Sequence, residues 1–82
     1  MVTCQFSLYP LREPNLSPAL DRAMEGVRST GLTPQMGSMS TYIEGDEDTV
    51  FEALKRAFRQ AAADGELVLV VTVSNACRAL GP

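Results

Sequence analysis

Residues 67–73 read Leu-Val-Leu-Val-Val-Thr-Val, and the organisation of the whole chain follows from what that run can be. Its short length and its β-branched content favour a strand over a helix. A strand with one wet face alternates apolar and polar residues, yet Thr72 is the only polar residue here. Both faces of this strand are therefore expected to be covered, one by helices and the other by something else.

Working back from this strand, Gly65 closes a stretch in which Val50, Leu54, Ala57, Phe58 and Ala61 recur at helical spacing as a buried stripe. Asp46 stands at the N-cap position, and Glu47 and Asp48 occupy the first turn, where the positive end of the helix dipole favours them. Ahead of that helix, a short strand at about Thr33 to Met36, a tight turn near Gly37 and Ser38, and a strand from Met39 to Glu44 read as a hairpin. Earlier still, Ser17 and Pro18 read as N-cap and first position of another helix. It carries Leu16, Leu20, Ala23, Met24 and Val27 on one side and stops at Gly31. At the N-terminal end, Val2, Cys4, Phe6 and Leu8 alternate with Thr3, Gln5, Ser7 and Tyr9 until Pro10 ends the strand. Beyond Ser74, residues 75–82 read as loop.

Strand, helix, strand, strand, helix, strand is the split βαβ order of ferredoxin-like α+β domains. Right-handed crossovers then predict a four-stranded antiparallel sheet in the order 4-1-3-2 with both helices on one face, formed by residues 1–82 as a single domain. We expect strands one and three to lie parallel in the centre. The start of strand three and the end of strand four then meet near the start of strand one. Val2, Cys4, Phe6 and Leu8 should face the helices, leaving Gln5, Ser7 and Tyr9 on the open face. In the fourth strand Leu67, Leu69, Val71 and Val73 turn inwards, and Val68, Val70, Thr72 and Ser74 outwards. With Ile43 in the core, Ser40, Tyr42 and Glu44 join the open face. Gln5, Ser40, Ser74 and Asn75 would then line one polar patch, beside an apolar area of Val68 and Val70 suited to a second subunit.

Composition narrows the function. Eighty-two residues, 45% hydrophobic and 21% charged, make one small globular domain with a thin core that a partner chain would help. Seven Lys and Arg against ten Asp and Glu give a net charge of -3, which argues against nucleic-acid binding through a basic face. Cys4 and Cys77 are too few and too widely spaced for a disulfide scaffold or a metal clip, and the absence of histidine disfavours zinc. The thiols are read as buried and free. With no basic n-region leading an apolar h-region, and no apolar run near the roughly 20 residues a bilayer crossing needs, we expect a cytoplasmic protein without membrane insertion. The chain has no nucleophile elbow and no glycine-rich phosphate loop, so it is read as non-catalytic. Hydroxyls and amides beside apolar strands suit a small heteroaromatic ligand, which needs apolar walls and a few fixed donors and acceptors.

Three segments carry a family resemblance: Cys4-Gln5-Phe6-Ser7-Leu8-Tyr9-Pro10, Ser40-Thr41-Tyr42-Ile43-Glu44-Gly45-Asp46 and Thr72-Val73-Ser74-Asn75-Ala76-Cys77. In this order they resemble the signature segments of the YkoF-type thiamine/hydroxymethylpyrimidine-binding domain. The resemblance implies a ferredoxin-like domain that binds thiamine or its pyrimidine precursor without transforming it, in salvage, uptake or sensing of the vitamin, with a functional link to a transporter of thiamine precursors. Position by position it offers Gln5, Ser7 and Tyr9 from the first segment, Ser40 and Thr41 from the second, and Ser74 and Asn75 from the third as ligand-binding residues. No cofactor and no metal is implied. Members often carry two domains in tandem, so this single copy is expected to pair between chains as a homodimer or higher homo-oligomer through the open sheet face. The alternative is an oligomeric regulatory or interaction module that binds a different small molecule, since fold alone does not separate the two.

Overall fold

The computed structural model of the protein describes residues 1–76, the side chain of Asp64 excepted. In chain order it consists of β1 (Val2–Pro10), α1 (Ser17–Arg28), β2 (Gln35–Met36), β3 (Thr41–Gly45), α2 (Glu47–Ala61), a single 3-10 turn (Ala62–Asp64) and β4 (Leu67–Ser74). Alternation in β1 sets the core: Val2, Cys4, Phe6 and Leu8 are buried beneath α1 and α2 with Met24, Val27, Ile43 and Val50. Register extends this division to β4. Cys4, Phe6 and Leu8 lie opposite Val73, Val71 and Leu69, while Thr3, Gln5, Ser7 and Tyr9 lie opposite Ser74, Thr72, Val70 and Val68. The expected division of the fourth strand is the observed one in register, with Leu67, Leu69 and Val73 packed on the core, but Val71, expected to turn inwards, is 38% exposed.

The strand order is β2-β3-β1-β4, which is the expected 4-1-3-2 read from the other side. One expectation is reversed. β1 and β3 are antiparallel, running from Val2 opposite Gly45 to Phe6 opposite Thr41. The cause lies in the connections: the α1 crossover returns β2 parallel to β1, and the hairpin then turns the chain back, so β3 must oppose both.

Local chemistry fixes the helix ends. Asp46 caps α2, accepting the Thr49 N–H at 3.0 Å and the Thr49 hydroxyl at 2.6 Å. These hydrogen bonds hold its carboxyl below its ordinary pKa. At α1 the expected Ser17 cap is not formed. Ser17 lies inside the first turn and Leu16 takes the N-cap position without a side-chain bond, because the Asn15 side-chain oxygen accepts the Ser17 N–H at 3.1 Å. The other end of α1 is held by Arg56 of α2, whose guanidinium donates to the carbonyl and hydroxyl of Ser29 at 3.1 and 3.0 Å while Glu52 secures it at 2.8 Å. Gly31 then reverses the chain at φ 92°, as a residue without Cβ does most easily.

The two helices pack so closely that a Cβ on Gly26 would lie 2.7 Å from the Arg56 carbonyl oxygen. Phe58, expected in the buried stripe, is instead 44% exposed, and Phe51 is exposed beside it on the same flank of α2. Val50, Ala53, Leu54, Ala57 and Ala61 take the buried positions, and at about 100° per residue Phe51 and Phe58 fall on the flank of α2 turned away from α1.

Candidate ligand recess

The β2–β3 connection is wider than the tight turn expected. The Gly37 N–H donates to the Ser40 carbonyl at 2.8 Å, so Met39 and Ser40 belong to the turn and β3 begins at Thr41. The turn folds back over the second half of β1, where the Ser7 hydroxyl donates to the Met39 carbonyl at 3.2 Å. Between this turn, the end of β1 and the first turn of α1 lies a recess of about 300 Å³. That is the lower end of the roughly 300–1,000 Å³ typical of small-molecule sites.

Its apolar lining comes from Phe6, Leu8, Pro10, Leu16 and Leu20, and its rim from Tyr9, Met36 and Met39. Its hydroxyls come from Ser7, Ser38, Ser40 and Thr41. Among the described residues every one that lines it falls between Phe6 and Thr41 in the sequence, and none is charged. Thr41 is 4% exposed, and its hydroxyl meets no hydrogen-bond partner among the described residues. No fully buried side-chain oxygen or nitrogen among those residues lacks a partner, so the Thr41 oxygen still reaches solvent. The recess is the space that Thr41 lines, and it leaves that oxygen both a donor and an acceptor to offer.

Four of the seven residues singled out from the sequence, Ser7, Tyr9, Ser40 and Thr41, are brought together here. The other three are not. Gln5 is exposed on the open face between Tyr42 and Thr72, and Ser74 lies opposite Thr3 at the far end of β1. Four residues of β1 separate Ser7 from Thr3, roughly 13 Å at a strand rise of about 3.3 Å. Asn75 follows Ser74 at that same end. The single polar patch of Gln5, Ser40, Ser74 and Asn75 is therefore not formed; it depended on a parallel arrangement of β1 and β3, and antiparallel pairing sends the start of β3 to the opposite end of the sheet. Thr41 turns towards the core side, opposite Phe6, as alternation with Ile43 in the core requires.

The sequence reading missed Leu16, Leu20, Met36, Ser38 and Met39 as lining residues. Leu16 and Leu20 have helical spacing and read as core, and Met36 and Met39 read as packing. The available signal was the run Met36-Gly37-Ser38-Met39-Ser40, in which two large apolar residues flank a turn with nothing in the sequence to cover them.

A second cavity of about 350 Å³ shares only Pro10 with the recess and has opposite chemistry, with Arg12, Glu13, Arg22 and Glu66 on its walls. Arg12, at a left-handed φ of 58°, is ion-paired with Glu66, and Leu11 donates its N–H to the Glu66 carbonyl at 2.9 Å. Cys4 is fully buried, and burial pushes its thiol up to about 11, so it is a poor nucleophile at neutral pH. Cys77, with which it was expected to share one end of the sheet, lies outside the described residues. Among those residues no cluster of three or more metal-ligating side chains occurs, and no helix is long and apolar enough to cross a membrane.

Comparison with known proteins follows the same lines as the geometry. A solved structure of a DUF77 domain of unknown function from Bacillus cereus superposes with a TM-score of 0.76 at 28% identity, covering 89% of this chain and 73% of that one. A "putative thiamine biosynthesis/salvage protein" from Thermotoga maritima superposes with a TM-score of 0.76 at 26% identity, covering 88% and 80%. The "Putative HMP/thiamine-binding protein YkoF" of Bacillus subtilis (strain 168) is 33% identical over 58 residues, 71% of this chain. The chain spans only 29% of the length of that curated relative. Residues 1–79 match the profile of the YKOF-related family, and together with the βαββαβ sheet order this shows that the chain belongs to that family.

Proposed function

We propose that this domain binds hydroxymethylpyrimidine, or the same ring within thiamine, in the recess between the β2–β3 turn, β1 and α1, and does not transform it. The observation that carries the reading is the Thr41 hydroxyl, which has no hydrogen-bond partner among the described residues and lines a recess of apolar side chains and serine hydroxyls. An aminopyrimidine offers ring nitrogens as acceptors and an amino group as donor, which Ser7, Ser40 and Thr41 are placed to meet. Tyr9 at the rim gives the ring a face to stack on. The names of the relatives from B. subtilis and T. maritima point to the same ligand class and to a role in thiamine salvage. Gln5, Ser74 and Asn75 take no part in this recess. Their place in binding would lie at the other end of the sheet or across a subunit boundary.

Calorimetric titration with hydroxymethylpyrimidine and with thiamine tests the reading. Saturable binding is expected, and Ser40→Ala should weaken it by about 1 to 3 kcal/mol through ligand groups left unpaired. Absence of heat and of any thermal shift at millimolar ligand would favour the regulatory-module reading. Mass analysis after incubation should return thiamine intact, and a cleavage product would overturn the non-catalytic role.

We further propose that two copies associate through the open sheet face as a homodimer or larger assembly. Val70 is 53% exposed there beside Val68, Tyr9 and Tyr42, so the two covered faces inferred from the sequence of β4 require a partner. A cytoplasmic location and a link to uptake of thiamine precursors complete the proposal.

A further inference from the structure

Charge at this end of the domain is sorted between two adjacent spaces. The recess has no Lys, Arg, Asp or Glu on its walls, whereas Arg12, Arg22, Glu13 and Glu66 all border the cavity that shares only Pro10 with it. Arg12 is already paired with Glu66, and the Nε of Arg22 donates to the Gln60 carbonyl at 3.1 Å. From this sorting we infer that the recess accepts hydroxymethylpyrimidine as the free, uncharged alcohol and rejects the phosphate ester of the same alcohol. The inference deepens the proposed function and rests on it.

A phosphate monoester carries about -1.5 to -2 charges at pH 7. An ion taken out of water without a counter-charge is strongly disfavoured, and protein sites for phosphate supply guanidinium or ammonium groups or a row of unused backbone N–H groups. Among the described residues no guanidinium or ammonium group lines the recess. The Gly37 N–H is bound to the Ser40 carbonyl at 2.8 Å, and the Ser17 N–H to the Asn15 side chain at 3.1 Å. Pro18 has no N–H, and the Leu20 N–H is bound to the Leu16 carbonyl at 3.0 Å. What remains is neutral donors, the hydroxyls of Ser38, Ser40 and Thr41 and the N–H groups of the turn, with no cation beside them among the described residues, in a chain whose net charge of -3 repels a further anion. A neutral alcohol needs no more than such hydroxyls provide.

Titrating the wild-type chain with hydroxymethylpyrimidine, its phosphate monoester and thiamine, at one pH and ionic strength, tests the inference. The alcohol should bind, and the ester should bind at least thirtyfold more weakly. Ser38→Arg, which adds a cation to the wall, should raise the ratio of ester to alcohol affinity at least tenfold. An ester that binds the wild type within threefold of the alcohol overturns the inference while leaving the proposed function intact. Failure of all three compounds to bind removes the proposed function, and the inference with it.

Discussion

Thr41→Val separates a ligand hydroxyl from a structural one. Valine has nearly the same shape and at least equal strand propensity, so β3 and its pairing with Phe6 should persist. In the free protein the Thr41 oxygen has no hydrogen-bond partner among the described residues and only the recess to hydrate it. Its removal therefore breaks no internal bond, and a methyl in its place relieves part of the cost of a poorly hydrated hydroxyl, a gain of between zero and about 1 kcal/mol. In a domain of this size about 1 kcal/mol moves Tm by roughly 4 to 8 °C, so melting followed by circular dichroism should show an unchanged or slightly raised midpoint. Binding should move the other way. A ligand group left without its partner costs about 1 to 3 kcal/mol, which is roughly a 5- to 150-fold rise in Kd by calorimetry. A structural hydroxyl would give the reverse pattern. A Tm lowered by more than about 5 °C, or an unchanged Kd, would refute the assignment of Thr41 to the ligand.

Three further perturbations reach other parts of the molecule. Gly26→Ala gains about 1 kcal/mol of helix propensity, but its Cβ meets backbone atoms of α2 at 2.7 to 2.9 Å; overpacking costs of about 1 to 3 kcal/mol should leave urea unfolding showing a net loss, and an increase in stability would show that the helices separate easily. Asp46→Ala removes the α2 cap. Because the folded carboxyl titrates below its unfolded value, the difference from wild type should be full above the ordinary carboxylate pKa and shrink as pH falls through the lower folded value, and a difference that persists in full at pH 2 would contradict the capping role. Val70→Lys places a charge in the middle of the open sheet face, so sedimentation should show a shift from dimer towards monomer, and a wild-type chain that is already monomeric at micromolar concentration would remove the pairing proposal.

Much of the fold could be read from the residues. Strict alternation in Val2–Tyr9 gave the core face of β1, and cross-strand pairing carried that assignment to β4 without further information. The capping role of Asp46 was legible because it depends on neighbours three residues away. What escaped was set by contacts distant in sequence. Ser17 lost its cap to Asn15, a competition between two equally suitable side chains, and Phe58 lies at the edge of the apolar stripe, on the flank of α2 turned away from α1. The direction of β3 follows from chain connectivity rather than from any residue, and an error there moved half of the expected site. Ser7, Tyr9, Ser40 and Thr41 stayed together because they depend on the hairpin and β1 alone, whereas Ser74 and Asn75 required the whole sheet to be placed correctly.

The confinement of the recess to Phe6–Thr41 has an evolutionary consequence. The described lining of the recess is encoded in the first half of the sequence, while α2 and β4, which present exposed Phe51, Phe58, Val68 and Val70, are encoded in the second. A recombination breakpoint at Gly45 would exchange the described lining of the recess and leave α2 and β4 untouched. Two duplicated copies of such a unit could diverge in the lining of the recess while keeping the same α2 and β4.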